Sequence, residues 1–233
     1  MTVQIVNRKL FVYQNRTEAG RLLAGELTGR QLNRPVVLGV PRGGVIVGAA
    51  IAKLLQADLD IIISRKLRAP QQPELAFGAL AENGSISLHE EIIKAIGISQ
   101  KAIDAEIAFQ RTEIERRRRL FRAVKPKIAL SGRSVILTDD GIATGETFKS
   151  ALEAVIQERP ESLTAALPVG PEHTLILMSE FAGLLFAGIA RRYLTPSGNS
   201  TRTSEKFPTI KLRRSSPPSP ILFVLALSAD LAG

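Results

Sequence analysis

The chain has 233 residues and a mass of 25.2 kDa, and its composition, 45% hydrophobic and 23% charged, excludes disorder throughout. Its net charge of +9 favours an anionic partner such as phosphate, nucleic acid or a membrane surface. The absence of Cys excludes disulfides, thiolate nucleophiles and Cys-based metal sites, and it fits a cytoplasmic protein. We expect no signal peptide and no contact with the membrane interior, because no apolar run approaches the roughly 20 residues of a spanning helix.

Helix and strand patterns alternate in the first part of the chain. A helix is predicted to begin at Thr17, and residues 35–40 have the apolar pattern of a fully buried strand. A second helix is predicted to follow Gly43 and Gly44, and a second buried strand spans residues 59–64. These elements form a β-α-β unit, which indicates parallel strands.

An insertion of about residues 70–125 separates this unit from the next strand. Its predicted elements are short strands at residues 77–81 and 85–88 and helices at residues 90–95 and 99–122. The second helix ends in four consecutive arginines, residues 116–119, and Arg122, which cannot all face a core. They form either a solvated helix face or a surface that binds RNA or phosphate.

The remaining elements complete an α/β fold. They are a strand at residues 134–138, a helix at residues 147–157 and a strand at residues 162–169. We therefore predict a parallel sheet flanked by helices, with a mixed helical and β-hairpin insertion, in one domain of residues 1–180. Residues 181–233 hold seven basic and two acidic side chains and several Ser/Pro runs, so we treat them as a divergent tail, either frame-shifted or genuine.

The most informative segment is residues 135–147. A buried strand ends in Asp139 and Asp140, and a short loop with Thr144 then opens a helix. Ligands of open α/β sheets bind at this edge, and backbone N–H groups at a helix start suit phosphate. The carboxylates can accept hydrogen bonds from sugar hydroxyls or hold a divalent cation. The alternative is that the two aspartates only end a strand and cap a turn.

This segment, VILTDDGIATGET, resembles the 5-phosphoribosyl-1-pyrophosphate (PRPP) binding motif of type I phosphoribosyltransferases. The likeness extends over about residues 10–180 and is greatest to bacterial members whose acceptor is unknown. It implies that Asp139 and Asp140 contact the ribose 2- and 3-hydroxyls. The residues that would wrap the 5-phosphate are Ala143, Thr144, Gly145, Glu146 and Thr147. Many members have Gly or Ala in place of Glu146, whose carboxylate would repel phosphate unless its side chain turns outward.

Two further loops resemble parts of this family. Pro41-Arg42-Gly43-Gly44 is similar to the pyrophosphate loop, where small residues let the backbone approach the diphosphate, although alone it would be a simple turn. Residues 64–74 form a predicted polar, cationic loop in the position of the mobile loop that closes over PRPP. The resemblance implies that Lys66 contacts the leaving pyrophosphate, with Arg65 and Arg68 as weaker candidates. A solvated loop with a positive face is the alternative.

The resemblance implies a glycosyltransferase that moves the 5-phosphoribosyl group of PRPP to an acceptor and releases pyrophosphate. The expected acceptor is a nitrogenous base. Lys66, Arg42, Asp139 and Asp140 would be its catalytic residues, and Mg²⁺ would bind through PRPP and these two aspartates. A homodimer is expected, and nucleic acid is a weaker candidate partner. The alternative is a regulator that binds PRPP or a nucleotide without catalysis and contacts RNA. His89 and His173 are expected to be surface or structural residues, although His173 could line an acceptor pocket.

Overall fold

The computed structural model describes residues 2–7 and 13–189, which form nine strands and six helices. In chain order these are β1 (Thr2–Asn7), α1 (Arg16–Leu27), β2 (Val36–Gly39), α2 (Gly43–Leu55), β3 (Asp58–Ile61), β4 (Ser64–Ala69), β5 (Gln72–Ala81), β6 (Ile86–Leu88), α3 (Glu90–Ile96), α4 (Gln100–Arg122), β7 (Ser134–Thr138), α5 (Glu146–Gln157), β8 (Ser162–Gly170), α6 (Glu172–Met178) and β9 (Leu184–Ile189).

Six strands form one parallel sheet in the order β1-β9-β8-β7-β2-β3. Alternate residues of its central strands enter two different cores, as the two-residue period of a strand requires. Val37 and Ile136 pack beneath α1 and α2, whereas Val36 and Val135 pack against α5. The predicted α/β class, a parallel sheet flanked by helices, is therefore confirmed.

The insertion forms a separate antiparallel sheet, β4-β5-β6, covered by α3 and α4. The prediction that residues 64–74 form a loop is wrong, because they make up β4, a tight turn and the start of β5. Leu67 and Ala69 are buried on this hairpin in a third hydrophobic core, which the hairpin forms with α3 and α4. The charged residues around them, Arg65, Lys66 and Arg68, hid this short apolar pattern, which a register shift after Leu67 also interrupts.

The arginines of α4 have three different environments. Arg116 pairs with Glu113, and Arg118 and Arg119 pair with Glu115 on the solvent side. Arg122 instead turns inward and binds the buried carboxylates of Asp60 and Glu82, at 2.6 and 3.2 Å. Arg117 joins neither set. The predicted solvated face is thus confirmed only for part of the run.

The sheet extends beyond the predicted end of the domain at residue 180. β9 lies between β8 and β1, and β1 itself was not among the predicted strands. Residues 190–233, with most of the predicted tail and its apolar run at 221–227, lie outside the described residues. Within residues 2–7 and 13–189, none of the helices combines the length and the apolar character that crossing a membrane requires.

Candidate functional site

The loops after β2 and β7 lie side by side at one edge of the sheet. β2 and β7 are neighbouring parallel strands, with Gly39 opposite Thr138. The N–H of Val40 donates to the carbonyl oxygen of Thr138 at 2.9 Å, which holds the two strand ends together. The carboxyl edge of a parallel sheet is where open α/β folds bind ligands.

The glycines of the first loop contact the aspartates of the second. A Cβ atom on Gly43 would overlap the carboxylate of Asp140, and one on Gly44 would lie 2.7 Å from the carbonyl oxygen of Thr138. Only glycine permits this approach. The structure therefore brings together five sequence-predicted site residues: Arg42, Gly43, Gly44, Asp139 and Asp140. The peptide bond between Pro41 and Arg42 in this loop is cis.

Asp139 is the half-buried member of the acidic pair whose carboxylate is held by backbone N–H groups. Its carboxylate accepts hydrogen bonds from the backbone N–H of Asp140, at 2.8 Å, and from that of Gly44. Burial, followed by the negative charge of Asp140, raises its pKa from 3.8 to about 8. Asp139 thus links the end of β7 to the first turn of α2 and holds its proton at neutral pH.

Asp140 faces Arg16, a residue that sequence reasoning missed. The Nε and Nη2 atoms of Arg16 lie 2.8 and 2.7 Å from Oδ2 of Asp140, and both side chains are about 30% exposed. Arg16 begins α1, 124 residues before its partner. No local pattern could reveal a contact that depends on how α1 docks against the sheet.

The loop before α5 presents unused backbone donors. Gly145 has a φ of 82°, no side chain caps the helix, and the first helical bond runs from the N–H of Lys149 to the carbonyl of Gly145. The N–H groups of the first three helical residues therefore have no helical acceptor. Ala143 and Thr144 are exposed beside them. Such a helix start can bind a phosphate through its N–H groups and dipole.

The segment from β8 to α6 holds this loop in place through hydrogen bonds. The hydroxyl of Thr174 donates to the carbonyl oxygen of Ala143 at 2.9 Å, and the N–H of Ile142 donates to Val169 at 3.0 Å. A Cβ on Gly145 would lie 2.7 Å from Cγ2 of Thr174. His173 contacts the same hydroxyl and is exposed, in keeping with the expected surface or structural role. Thr174 was also missed, because nothing local marks it.

Glu146 turns toward the insertion. Its Oε2 atom contacts Nε2 of His89, which precedes α3, and both side chains are about one-quarter exposed. The expected outward turn of Glu146 is therefore present, with its backbone N–H remaining at the start of α5. His89 is structural in this sense, since it holds the carboxylate.

Lys66 lies on β4, and no hydrogen bond or ion pair between described residues joins it to the two loops. Its neighbour Arg65 faces α4, where its Nε donates to Oε1 of Gln110 at 2.9 Å. Because successive side chains on a strand point to opposite faces, Lys66 points away from α4. The predicted contact between Lys66 and the leaving group remains a prediction.

The acidic pair is a limited metal site by itself. Among the described residues, no group of three or more Asp, Glu or His side chains could hold a metal ion. Mg²⁺ in proteins often takes one or two carboxylates and completes its shell with substrate oxygens and water. Asp139 and Asp140, two adjacent carboxylates of which Arg16 occupies one oxygen, fit this kind of site.

Comparisons with known proteins agree with the geometry. A family model described as "Phosphoribosyl transferase domain" matches residues 12–177. Two Mycobacterium tuberculosis proteins, from strains CDC 1551 / Oshkosh and H37Rv, carry the name "Putative phosphoribosyl transferase" and are each 40% identical over 172 residues, which are 74% of this chain. The matched region spans only 38% of their length. The crystal structure of TT1426 from Thermus thermophilus superposes with a TM-score of 0.70 at 31% identity, covering 96% of this chain and all of that chain.

Proposed function

The chain belongs to the phosphoribosyl transferase domain family, and we propose that it transfers the 5-phosphoribosyl group of PRPP to an acceptor with release of pyrophosphate. Its parallel sheet with a β-hairpin insertion has the type I phosphoribosyltransferase architecture. One observation carries the proposal: Gly43 and Gly44 pack directly on Asp139 and Asp140 beside the uncapped start of α5. A ligand with a diphosphate, a ribose and a 5-phosphate needs three such groups at one edge.

The residues of the two loops bind different parts of PRPP. Backbone N–H groups of residues 143–147 hold the 5-phosphate, where the pairing of Glu146 with His89 keeps a negative side chain engaged elsewhere. Asp140, the more exposed carboxylate, accepts from a ribose hydroxyl once Arg16 yields part of its contact. Asp139 has a buried proton to donate to the second hydroxyl or to lose when a cation binds.

The bond that breaks joins the anomeric carbon to the diphosphate, and the acceptor nucleophile forms the new bond to that carbon. The diphosphate leaves with the bonding electrons, so cations that reach the departing diphosphate stabilise the transition state. We assign this role to Arg42 and Lys66. Mg²⁺, bound through the donor and the acidic pair, would supply further neutralisation of the departing charge.

In this proposal, the insertion, residues 70–125, binds the acceptor and determines which acceptor is used. A nitrogenous base as acceptor, a homodimeric assembly and a cytoplasmic location are likewise proposals that come from the family resemblance. Contact with RNA has no specific support in the contacts of α4, where Arg116, Arg118 and Arg119 pair with glutamates of their own helix.

The direct test is calorimetric titration of the protein with PRPP and Mg²⁺, followed by a screen of bases for pyrophosphate release. We expect saturable binding of one PRPP per chain. The variant Asp140→Asn should weaken binding, whereas Asp104→Asn, on the exposed side of α4, should not. Folded protein that binds no PRPP would contradict the proposal.

A further inference from the structure

Arg117 lies on the inward side of α4, unlike the arginines next to it. It stands three residues after Ile114 and four residues before Phe121, which are 6% and 1% exposed. Residues at this spacing share one helix face. The guanidinium of Arg117 is therefore carried on the face of α4 that packs on the hairpin, at the edge of the third core.

The described residues offer Arg117 no acidic partner. Its Nε atom is buried and has no hydrogen-bond acceptor. The nearby glutamates are already taken, since Glu113 pairs with Arg116 and Glu115 pairs with Arg118 and Arg119. A buried polar group without a partner is costly, and a guanidinium is costlier than a neutral group.

Arg65 adds a second half-buried guanidinium from the facing strand. Its Nε donates to the amide oxygen of Gln110, which is 1% exposed, so the side chain is tethered by a neutral group rather than a carboxylate. Burial lowers the pKa of both arginines, and positive neighbours lower it further, whereas Glu113 raises the pKa of both and Glu106 raises that of Arg65. The two arginines thus place two half-buried positive charges where β4 faces α4.

From this placement we propose that Arg65 and Arg117 form an anion site that takes a phosphate-type oxyanion. Arginine suits such a ligand because its donors match phosphate oxygens in pairs. The ligand has two sources, the diphosphate of PRPP or a separate phosphate or pyrophosphate ion. The first source rests on the proposed function, whereas the anion site itself does not.

The test compares wild type with Arg117→Met and Arg65→Met, with Arg118→Met as the matched control from the solvent side of α4. Titration with pyrophosphate should show affinity at least about tenfold weaker in the first two variants and unchanged in the control. Ribose 5-phosphate, which lacks a diphosphate, should bind Arg117→Met as tightly as wild type.

Thermal unfolding separates a binding role from a purely structural one. Without anion, Arg117→Met should unfold at a temperature equal to or above that of wild type, because an unpaired buried charge has been removed. Pyrophosphate should raise the unfolding temperature of wild type and of Arg118→Met but not of Arg117→Met. If Arg117→Met unfolded below the wild-type temperature without anion and pyrophosphate still raised its unfolding temperature, the proposed anion site would be wrong.

Competition identifies the source of the anion. Displacement of pyrophosphate by PRPP, one for one, assigns the site to the donor diphosphate, and simultaneous binding assigns it to a separate anion. Pyrophosphate binding that depends on Arg117 in a protein that binds no PRPP would leave the anion site standing and contradict the proposed function. PRPP and pyrophosphate binding that are both independent of Arg117 would overturn the anion site and leave the proposed function intact.

Discussion

Asp139 and Asp140 are adjacent in sequence but occupy different environments. Asp139 is half-buried beneath the first turn of α2 and accepts two backbone N–H groups, whereas Asp140 is about 30% exposed and pairs with Arg16. Two carboxylates this close do not ionise independently, and Asp139 keeps its proton. Asp139 therefore offers a proton donor at neutral pH beside a side chain that is already paired with Arg16.

This difference predicts how Asp139→Asn changes stability with pH. Because the pKa of Asp139 is raised to about 8, its contribution to the free energy of unfolding is present at low pH and lost as the pH rises through about 8. Asparagine cannot ionise and keeps the acceptor. In metal-free buffer, the variant should gain about 2–4 kcal/mol over wild type between about pH 5 and about pH 8.5, measured by urea unfolding. Parallel pH profiles of the two proteins would contradict the buried proton, and Asp104→Asn is the control.

Lys66 provides a second prediction at this scale. If its ammonium neutralises the leaving pyrophosphate, Lys66→Ala should lower kcat by about 100-fold and change the affinity for PRPP much less. Lys101→Ala, an exposed lysine on α4, is the matched control. Pyrophosphate release at the wild-type rate in Lys66→Ala would remove Lys66 from the catalytic residues.

At the scale of elements, the site depends on the packing of the start of α2 against the end of β7. The first turn of α2 touches the end of β7 so closely that Gly44 leaves no room for a methyl group, with Cα of Asp139 only 2.8 Å from the position of a Cβ. Backbone atoms on the other side cannot move without opening the sheet edge. The shape of the loop at residues 41–44 is therefore set by the contact between α2 and β7.

Gly44→Ala should accordingly disturb both binding and folding. We expect a loss of about 1–3 kcal/mol in unfolding free energy and loss of PRPP binding, measured by urea unfolding and calorimetry. Gly25→Ala is the control, since a Cβ there meets nothing within 4 Å and α1 should gain about 0.5–1 kcal/mol. Equal behaviour of the two variants would show that the close approach is unimportant.

The end of α4 is held by a buried ion network that also predicts a large effect. Arg122 donates to Asp60, Glu82 and the carbonyl oxygen of Ile61, and both carboxylates are buried. Arg122→Met would leave two buried charges unpaired and should cost about 3–5 kcal/mol in urea unfolding. Arg119→Met, whose side chain is 79% exposed, should change the value by less than about 0.5 kcal/mol. A similar small change in both variants would mean that the network contributes little.

Much of this arrangement was predictable from the sequence, because its signals are local. The strand at residues 134–138 matches β7 to the residue, and the motif that follows it marks the loop proposed to bind the 5-phosphate. The hairpin β4-β5 was not predictable as a strand pair, since Arg65, Lys66 and Arg68 obscure its alternation. Arg16, Thr174 and Arg117 act through contacts that form only when α1, α6 and α4 pack, so no spacing in the sequence marks them.

At the scale of the whole molecule, the sheet depends on a strand beyond the predicted domain end. β9 pairs with β8 on one side and β1 on the other, so it is an interior strand of the sheet rather than part of a tail. β8 also carries Val169 and Gly170, which contact Ile142 in the loop before α5. The site edge is thus connected, through β8, to residues that sequence reasoning placed outside the domain.

Ala187→Pro in the full chain tests whether β9 belongs to the folded unit. Ala187 lies opposite Ile5 of β1 and Leu167 of β8, and proline there removes a backbone donor from an interior strand. We expect a loss of about 2–4 kcal/mol in urea unfolding. Ala187→Gly keeps the N–H and should cost only about 1 kcal/mol, so it separates the lost hydrogen bond from added backbone freedom. If the cooperative unit ended near residue 180, the unfolding free energies of both variants would lie within about 1 kcal/mol of the wild-type value. β9 would then contribute nothing to the position of the loop whose Ile142 N–H donates to Val169 of β8.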